Sequence, residues 1–206
     1  MLSRSRRRLL IPETLMHRIP LIITLSALAL PIVASATGED KKAEKPLKSG
    51  LQVGEIIGTF DVEDVTGPAR GREICYACRY GSRPVVNIFV REITDEVTTL
   101  ITKLDKEIGK NQEKQLKAFV VLLSEDPKAD EELLIKVTRK HRIRNVPLTL
   151  FDGEIGPPKC RISEKAAVTV MLWHDSEVKA NHAFAKGEFD KKSIEAVVKS
   201  TAKILK

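Results

Sequence analysis

The chain of 206 residues has little of three things: aromatic side chains (six Phe, two Tyr, one Trp), cysteine (three) and long apolar sequence. With few rings to stack on bases, and with acidic and basic residues interspersed, it lacks the footprint of a nucleic-acid-binding surface. Its main apolar stretch, residues 21–33, is flanked by Pro20 and contains Pro31, and is shorter than the about 20 residues a membrane span requires. No second cysteine pair is spaced for zinc, so a metal site would have to combine one CxxC with scattered histidines.

The N-terminus reads as an export signal. Arg4, Arg6, Arg7, Arg8 and Arg18 precede the apolar stretch, and Ala34-Ser35-Ala36 follows it, so cleavage after Ala36 is expected. An uncleaved anchor is the weaker alternative. Met16-His17-Arg18 would by itself begin an ordinary signal, which makes Met16 a second candidate start. Removing the signal takes 5 of the 35 basic residues and 1 of the 28 acidic ones, leaving 30 against 27, or +3. The apparent basicity is therefore mostly targeting. The charged stretch 39–48 is too polar to pack and reads as a tether. The expected organisation is a signal peptide, 1–36, a charged flexible linker, 37–50, and one domain, 51–206, periplasmic or secreted and free of the membrane after cleavage.

Within the domain, residues 60–65 alternate apolar and acidic and are broken by Thr66-Gly67-Pro68, which predicts a short strand and a hairpin with the stretch through Ile74. Pro84 then opens Val85-Val86-Asn87-Ile88-Phe89-Val90, a β-branched run suited to a central strand. Val97, Leu100, Ile101, Leu104 and Ile108 recur at helical spacing, with Thr94 or Asp95 as cap and Gly109 as stop. Residues 116–123 make a second strand, and a helix carrying Leu133, Leu134 and Val137 follows Pro127. This order implies parallel neighbours joined by right-handed crossovers. After Pro147, residues 167–173 and 178–184 are too close for a helix between them and must form an antiparallel hairpin. A helix begun at Asp190 closes the chain, with Ile194, Val197, Val198, Ala202 and Leu205 on its apolar side. The series β-α-β-α-β-β-α around a mixed sheet is an α/β sandwich.

All three cysteines lie in the exported part, where thiols tend to pair; because three is odd, at least one is free, metal-bound or joined to another molecule. Cys75-Tyr76-Ala77-Cys78 has the spacing of a redox dithiol, but it precedes the strand at 85–90. A cysteine after such a strand would cap the next helix, whose N-terminal partial charge lowers a thiol pKa. Here that helix begins Glu92-Ile93-Thr94-Asp95-Glu96. Activation of Cys75 or Cys78 would then fall to Arg79 and Arg83. The alternative is a static disulfide or two packed thiols. Cys160 follows Gly156-Pro157-Pro158-Lys159 and is either a partner for Cys75 or Cys78, structural or resolving, or a lone buried thiol. Cys160, His141, His174 and His182 are the candidates to complete a metal site beside the CxxC, although His174 reads more naturally as a hairpin-turn residue and His182 as an outer-face one. The basic run Arg139-Lys140-His141-Arg142-Ile143-Arg144 reads as a solvated helix end, or as a surface for an acidic partner.

The element order, the hairpin in front of it and the Gly187 turn before the last helix resemble the thioredoxin-like superfamily over residues 52–206. The nearest branch resembles exported peroxiredoxin and thiol-reductase relatives with an N-terminal β-hairpin extension. The resemblance implies a thioredoxin-like three-layer α/β sandwich with a mixed central sheet. It also places an attacking cysteine between the first core strand and its helix, and a cis-proline before the facing antiparallel strand. Residues 91–95 hold no cysteine, Glu164-Lys165-Ala166-Ala167 holds no proline, and the peroxiredoxin Thr three residues before its cysteine is missing too. A peroxidase mechanism is not expected, and Pro147 is expected to be an ordinary trans loop proline. Two readings follow. One is a thiol-disulfide oxidoreductase acting on protein thiols and disulfides through Cys75 and Cys78, one attacking and the other resolving. The other is a redox-silent binding or structural module stapled by a disulfide. Neither calls for an organic cofactor, a nucleotide or a membrane span after cleavage. A weaker reading, which the resemblance implies through copper-handling members that use a cysteine pair and a distant histidine, is copper or zinc handling by the CxxC with His174 or His182.

Overall fold

Residues 46–205 are described by the computed structural model; the expected signal peptide, 1–36, and residues 37–45 of the expected linker lie outside the described residues. In chain order the elements are β1 (Val62–Asp64), β2 (Glu73–Ile74), α1 (Tyr76–Tyr80), β3 (Val85–Val90), α2 (Asp95–Lys110), β4 (Lys117–Ser124), α3 (Pro127–His141), β5 (Leu148–Asp152), β6 (Ala166–His174), β7 (Glu177–Ala185) and α4 (Lys191–Ser200). Short 3-10 turns form at Pro158–Cys160 and Thr201–Lys203.

Every residue of β3 is buried, Asn87 included, as suits a mostly β-branched, apolar strand covered on both faces. It pairs parallel with β4 on one side and antiparallel with β6 on the other. The seven strands form one mixed sheet in the order β2-β1-β5-β4-β3-β6-β7. Helix α2 begins at the Thr94 cap, whose hydroxyl accepts the Val97 N–H at 3.2 Å, and runs one residue past Gly109. The β6–β7 hairpin turns through Asp175 and Ser176, both at positive φ (53° and 62°), the two-residue turn whose twist suits antiparallel strands.

Two departures from the expected order matter. The segment after Pro147 is a strand of its own: β5 pairs parallel with β4 and antiparallel with β1, which ties the N-terminal hairpin into the sheet. Its five residues are too few to separate from the following loop by pattern. The second departure is α1, a helix of five residues between β2 and β3, where the sequence shows no helical pattern. The peptide before Pro147 is trans, since the described residues hold no cis peptide bond.

Side chains alternate across the strands, so the sheet carries two cores. Val86, Ile88 and Val90 of β3 pack with the apolar stripes of α2 and α4 and with Leu134 of α3. On the opposite face, Val85 and Phe89 pack with Phe119, Met171 and Trp173, covered by α1, by residues 51–62 and by the loop carrying Cys160. Seven of the nine aromatic residues lie in or against this second core, so the chain's few rings are concentrated around α1.

Candidate thiol-disulfide site

Cys75 and Cys78 are joined in a disulfide with Cα atoms 5.2 Å apart, well within bridging range. Cys75 is the N-cap of α1, and its sulfur accepts the Cys78 N–H at 3.0 Å. Cys75 is half-buried and Cys78 is exposed. The sequence reading denied this pair a helix; the structure supplies one, a turn and a half long, so its dipole is weaker than that of a full-length helix.

What holds this short helix is the residue between the cysteines. Tyr76 is fully buried, stacked on Phe119 with ring centroids 5.0 Å apart and packed on Tyr80 at 5.1 Å. Its hydroxyl donates to Asp64 Oδ2 at 2.9 Å. Asp64 is itself fully buried at the end of β1 and accepts two more hydrogen bonds, from the N–H groups of Gly67 and Ala69, both at 2.7 Å. A buried carboxylate is tolerated here because three donors replace its water. Burial first, and the neighbouring Asp64 charge second, push the Tyr76 phenol far above its ordinary value, so it stays a donor to Asp64. Gly67 is required by the close approach: a Cβ there would collide with the Tyr76 hydroxyl and both Asp64 carboxylate oxygens. Thr66 in the same turn accepts the Leu148 N–H at 2.8 Å and so links the turn to β5. Asp64, Gly67 and Tyr76 were not singled out from sequence as site residues; the Asp-x-x-Gly spacing that precedes the CxxC is the one local sign of them.

The two arginines expected to stabilise a thiolate are placed otherwise. Arg83 donates from Nη1 to the carbonyls of Tyr80 (3.0 Å) and Arg79 (3.3 Å), which caps the C-terminal end of α1, opposite Cys75. Arg79 is exposed and lines a cavity on that same C-terminal side. In the disulfide the group hydrogen-bonded to the Cys75 sulfur is the backbone N–H of Cys78, and Arg83 is turned to the far end of the helix. Cys160 is a free, buried thiol in the second core, and burial pushes its pKa up to about 12, so it is a packed apolar residue at neutral pH.

The histidines do not converge on the cysteines. His174 sits at the β6–β7 turn beside Asp175, and His182 is half-buried, its Nε2 2.9 Å from Ser200 Oγ and its ring stacked on Phe184. Burial and the positive charge of Lys203 hold His182 below the ordinary histidine value. Thus His182 faces α4 rather than an outer surface. Among the described residues, no three His, Cys, Asp or Glu side chains are grouped to hold a metal ion.

At the exit of β3, Arg91 fills the loop that leads to α2. Its guanidinium donates to the carbonyls of Ala166 (3.0 Å), Glu154 (2.8 Å) and Ser163 (3.3 Å), stitching this loop to the segment before β6. A cavity of about 630 Å³ opens beside it, lined by Glu92, Thr94, Lys165 and Lys186 among others, with no thiol.

No protein-family model matches the chain, and no curated protein does either. Solved structures do. A candidate protein disulfide isomerase from Bacteroides thetaiotaomicron superposes with a TM-score of 0.58 at 12% identity, over 77% of this chain and 94% of that one. A candidate thiol:disulfide interchange protein DsbE from Chlorobium tepidum gives 0.55 at 15% identity, over 76% and 99%. Peroxidoxin BcpB from Mycobacterium tuberculosis gives 0.54 at 17% identity, over 75% and 96%. At such identities the likeness is one of architecture: this chain has the thioredoxin-like fold, with its CxxC disulfide at the entrance of the first core strand instead of the exit.

Proposed function

We propose that this protein is an exported thiol-disulfide oxidoreductase that exchanges disulfides with other proteins through Cys75 and Cys78. The observation that supports it most is the disulfide at the N-terminus of α1, with Cys78 exposed and the Cys75 sulfur held by a backbone N–H. A substrate thiolate attacks the exposed Cys78 sulfur, the Cys75–Cys78 bond breaks, and Cys75 leaves as a thiolate stabilised by the Cys78 N–H. The mixed disulfide is then attacked at the substrate sulfur by the substrate's second thiolate, which releases Cys78. Two electrons pass from the substrate dithiol to the pair, and the two substrate protons go to solvent or to the released thiolates. Run backwards, the same steps reduce a substrate disulfide. Export is part of the proposal, from the signal-like residues 1–36, and supplies the oxidising surroundings such a pair needs.

The second reading, a redox-silent module, draws on Arg91, which occupies the loop where relatives of this fold carry chemistry. One experiment separates the two: titration of the Cys75/Cys78 couple against glutathione, with insulin disulfide reduction as the activity. The oxidoreductase predicts reversible equilibration above about −300 mV and loss of activity in the Cys75→Ser, Cys78→Ser double variant. A disulfide that resists reduction, or a double variant as active as the parent, rejects it.

A further inference from the structure

Beside the C-terminal end of α1 the surface is hollowed into a cavity of about 760 Å³ whose wall contains Arg79, Arg83, Lys117 and Arg144 and no acidic residue. The four cations come from separate places: α1 itself, the loop after it, the first residue of β4 and the loop between α3 and β5. None of them is in an ion pair among the described residues. Two carboxylates stand behind the wall: Asp64 accepts from the N–H groups of Gly67 and Ala69 and from the Tyr76 hydroxyl, and Asp105 Oδ1 accepts from the N–H groups of Arg144 (2.9 Å) and Asn145 (2.6 Å). Four like charges on a concave, partly apolar wall that carries no carboxylate of its own raise a positive field in the hollow, reduced but not cancelled by the two carboxylates behind it. The wall also absorbs the last residue of the basic run 139–144.

We infer that this cavity docks an acidic segment of the protein substrate and so selects thiols flanked by Asp or Glu. The inference rests on the oxidoreductase reading, because the cavity matters through its nearness to the disulfide. Arg79, which lines it, follows Cys78 directly. Helix α1 spans about 7 Å at 1.5 Å per residue, and an extended peptide covers about 3.3 Å per residue. Acidic residues about two to four positions from the reacting cysteine therefore reach the hollow. The size favours a peptide over a single small anion: the cations are spread over four elements around a volume that one phosphate would not fill.

Fluorescence anisotropy on the full chain tests this with two labelled peptides, one carrying Asp and Glu three residues from a blocked cysteine and the other carrying Asn and Gln there. Binding is measured to the Cys75→Ser, Cys78→Ser double variant, so that no exchange chemistry is required. The acidic peptide should bind at least about tenfold more tightly than its amide twin, and weaken severalfold between about 50 and about 300 mM salt, as screened charge pairs do. Arg144→Gln should remove most of that preference and Arg144→Lys should retain it, with unfolding curves confirming that both variants fold. Equal affinity for the two peptides, an unchanged preference in Arg144→Gln, or inorganic phosphate binding as tightly as the acidic peptide would each overturn the inference. The two proposals fail separately. Charge-selective docking with a redox-inert pair removes the exchange reaction alone, and exchange at equal rates with both peptides removes the docking alone.

Discussion

The two ends of β3 invite comparison, because each is joined to a capped helix and only one carries sulfur. At the exit, Thr94 caps the 16-residue α2 through its hydroxyl, and Arg91 fastens the loop to three carbonyls. At the entrance, Cys75 caps the five-residue α1 through its sulfur, and Tyr76 fastens the helix to Asp64. The exit has the stronger helix dipole and no cysteine. The entrance has the disulfide and a helix too short to stand alone, since isolated helices of that length do not form in water. What the difference teaches is that a CxxC can be set at a helix N-terminus away from the usual loop, provided tertiary anchoring replaces helix length.

If that is right, the entrance should break at its anchor. Asp64→Ala leaves the buried donors of Tyr76 and Ala69 and the half-buried N–H of Gly67 without their acceptor and should cost about 3 kcal/mol, read as a lower urea midpoint. Hydrogen exchange should show α1 amides opening while α2 amides keep their protection. Uniform loss of protection in both helices would mean that the anchor serves the whole fold and not the entrance.

Tyr76→Phe keeps the ring on Phe119 and removes only the hydroxyl. A loss of about 1–2 kcal/mol is expected, together with faster reduction of the Cys75–Cys78 disulfide by dithiothreitol. Thr94→Ala is the matching cut at the exit. Removing the N-cap should cost about 1 kcal/mol and leave the reduction rate unchanged, because no sulfur depends on α2. A changed rate there would couple the two ends and dissolve the contrast.

The smallest effect concerns pH. His182 has its folded pKa depressed by burial and by Lys203, so the unfolded chain takes up its proton first as pH falls. The stability this residue contributes is present above its unfolded value of about 6.5 and is lost as pH falls through the lower folded value. Thermal midpoints from pH 7.5 down to 5 should therefore drop, and drop less steeply in His182→Gln, while Thr94→Ala keeps the parent slope.

Much of the fold was legible because its signals are local. The buried run of β3, the stripe and Thr94 cap of α2, and the polar two-residue turn between β6 and β7 are each written within one element. The site was half legible. The spacing of Cys75 and Cys78 marked a disulfide ring, and the missing cysteine at the exit of β3 was readable by comparison with the fold. Helix α1 was not, since five residues show no periodicity, and Tyr76 looked like a spacer because nothing nearby reveals what its hydroxyl meets. Arg83 misled for a related reason: closeness in sequence to Cys78 says nothing about which end of a helix a long side chain caps.

The sequence by itself determined the central strand and most of the alternation of strands and helices, and it placed Cys75 and Cys78 at a spacing at which a disulfide can close, because backbone propensity, side-chain period and a three-residue spacing act over short stretches of chain. Only the tertiary structure decided that Cys160 is sealed in an apolar core, that four cations line one hollow, and that Asp64 reaches across 12 residues to hold the helix bearing the disulfide. Burial, field and long-range hydrogen bonding depend on which segments meet, and that is settled by packing the whole sheet rather than by any one stretch of it.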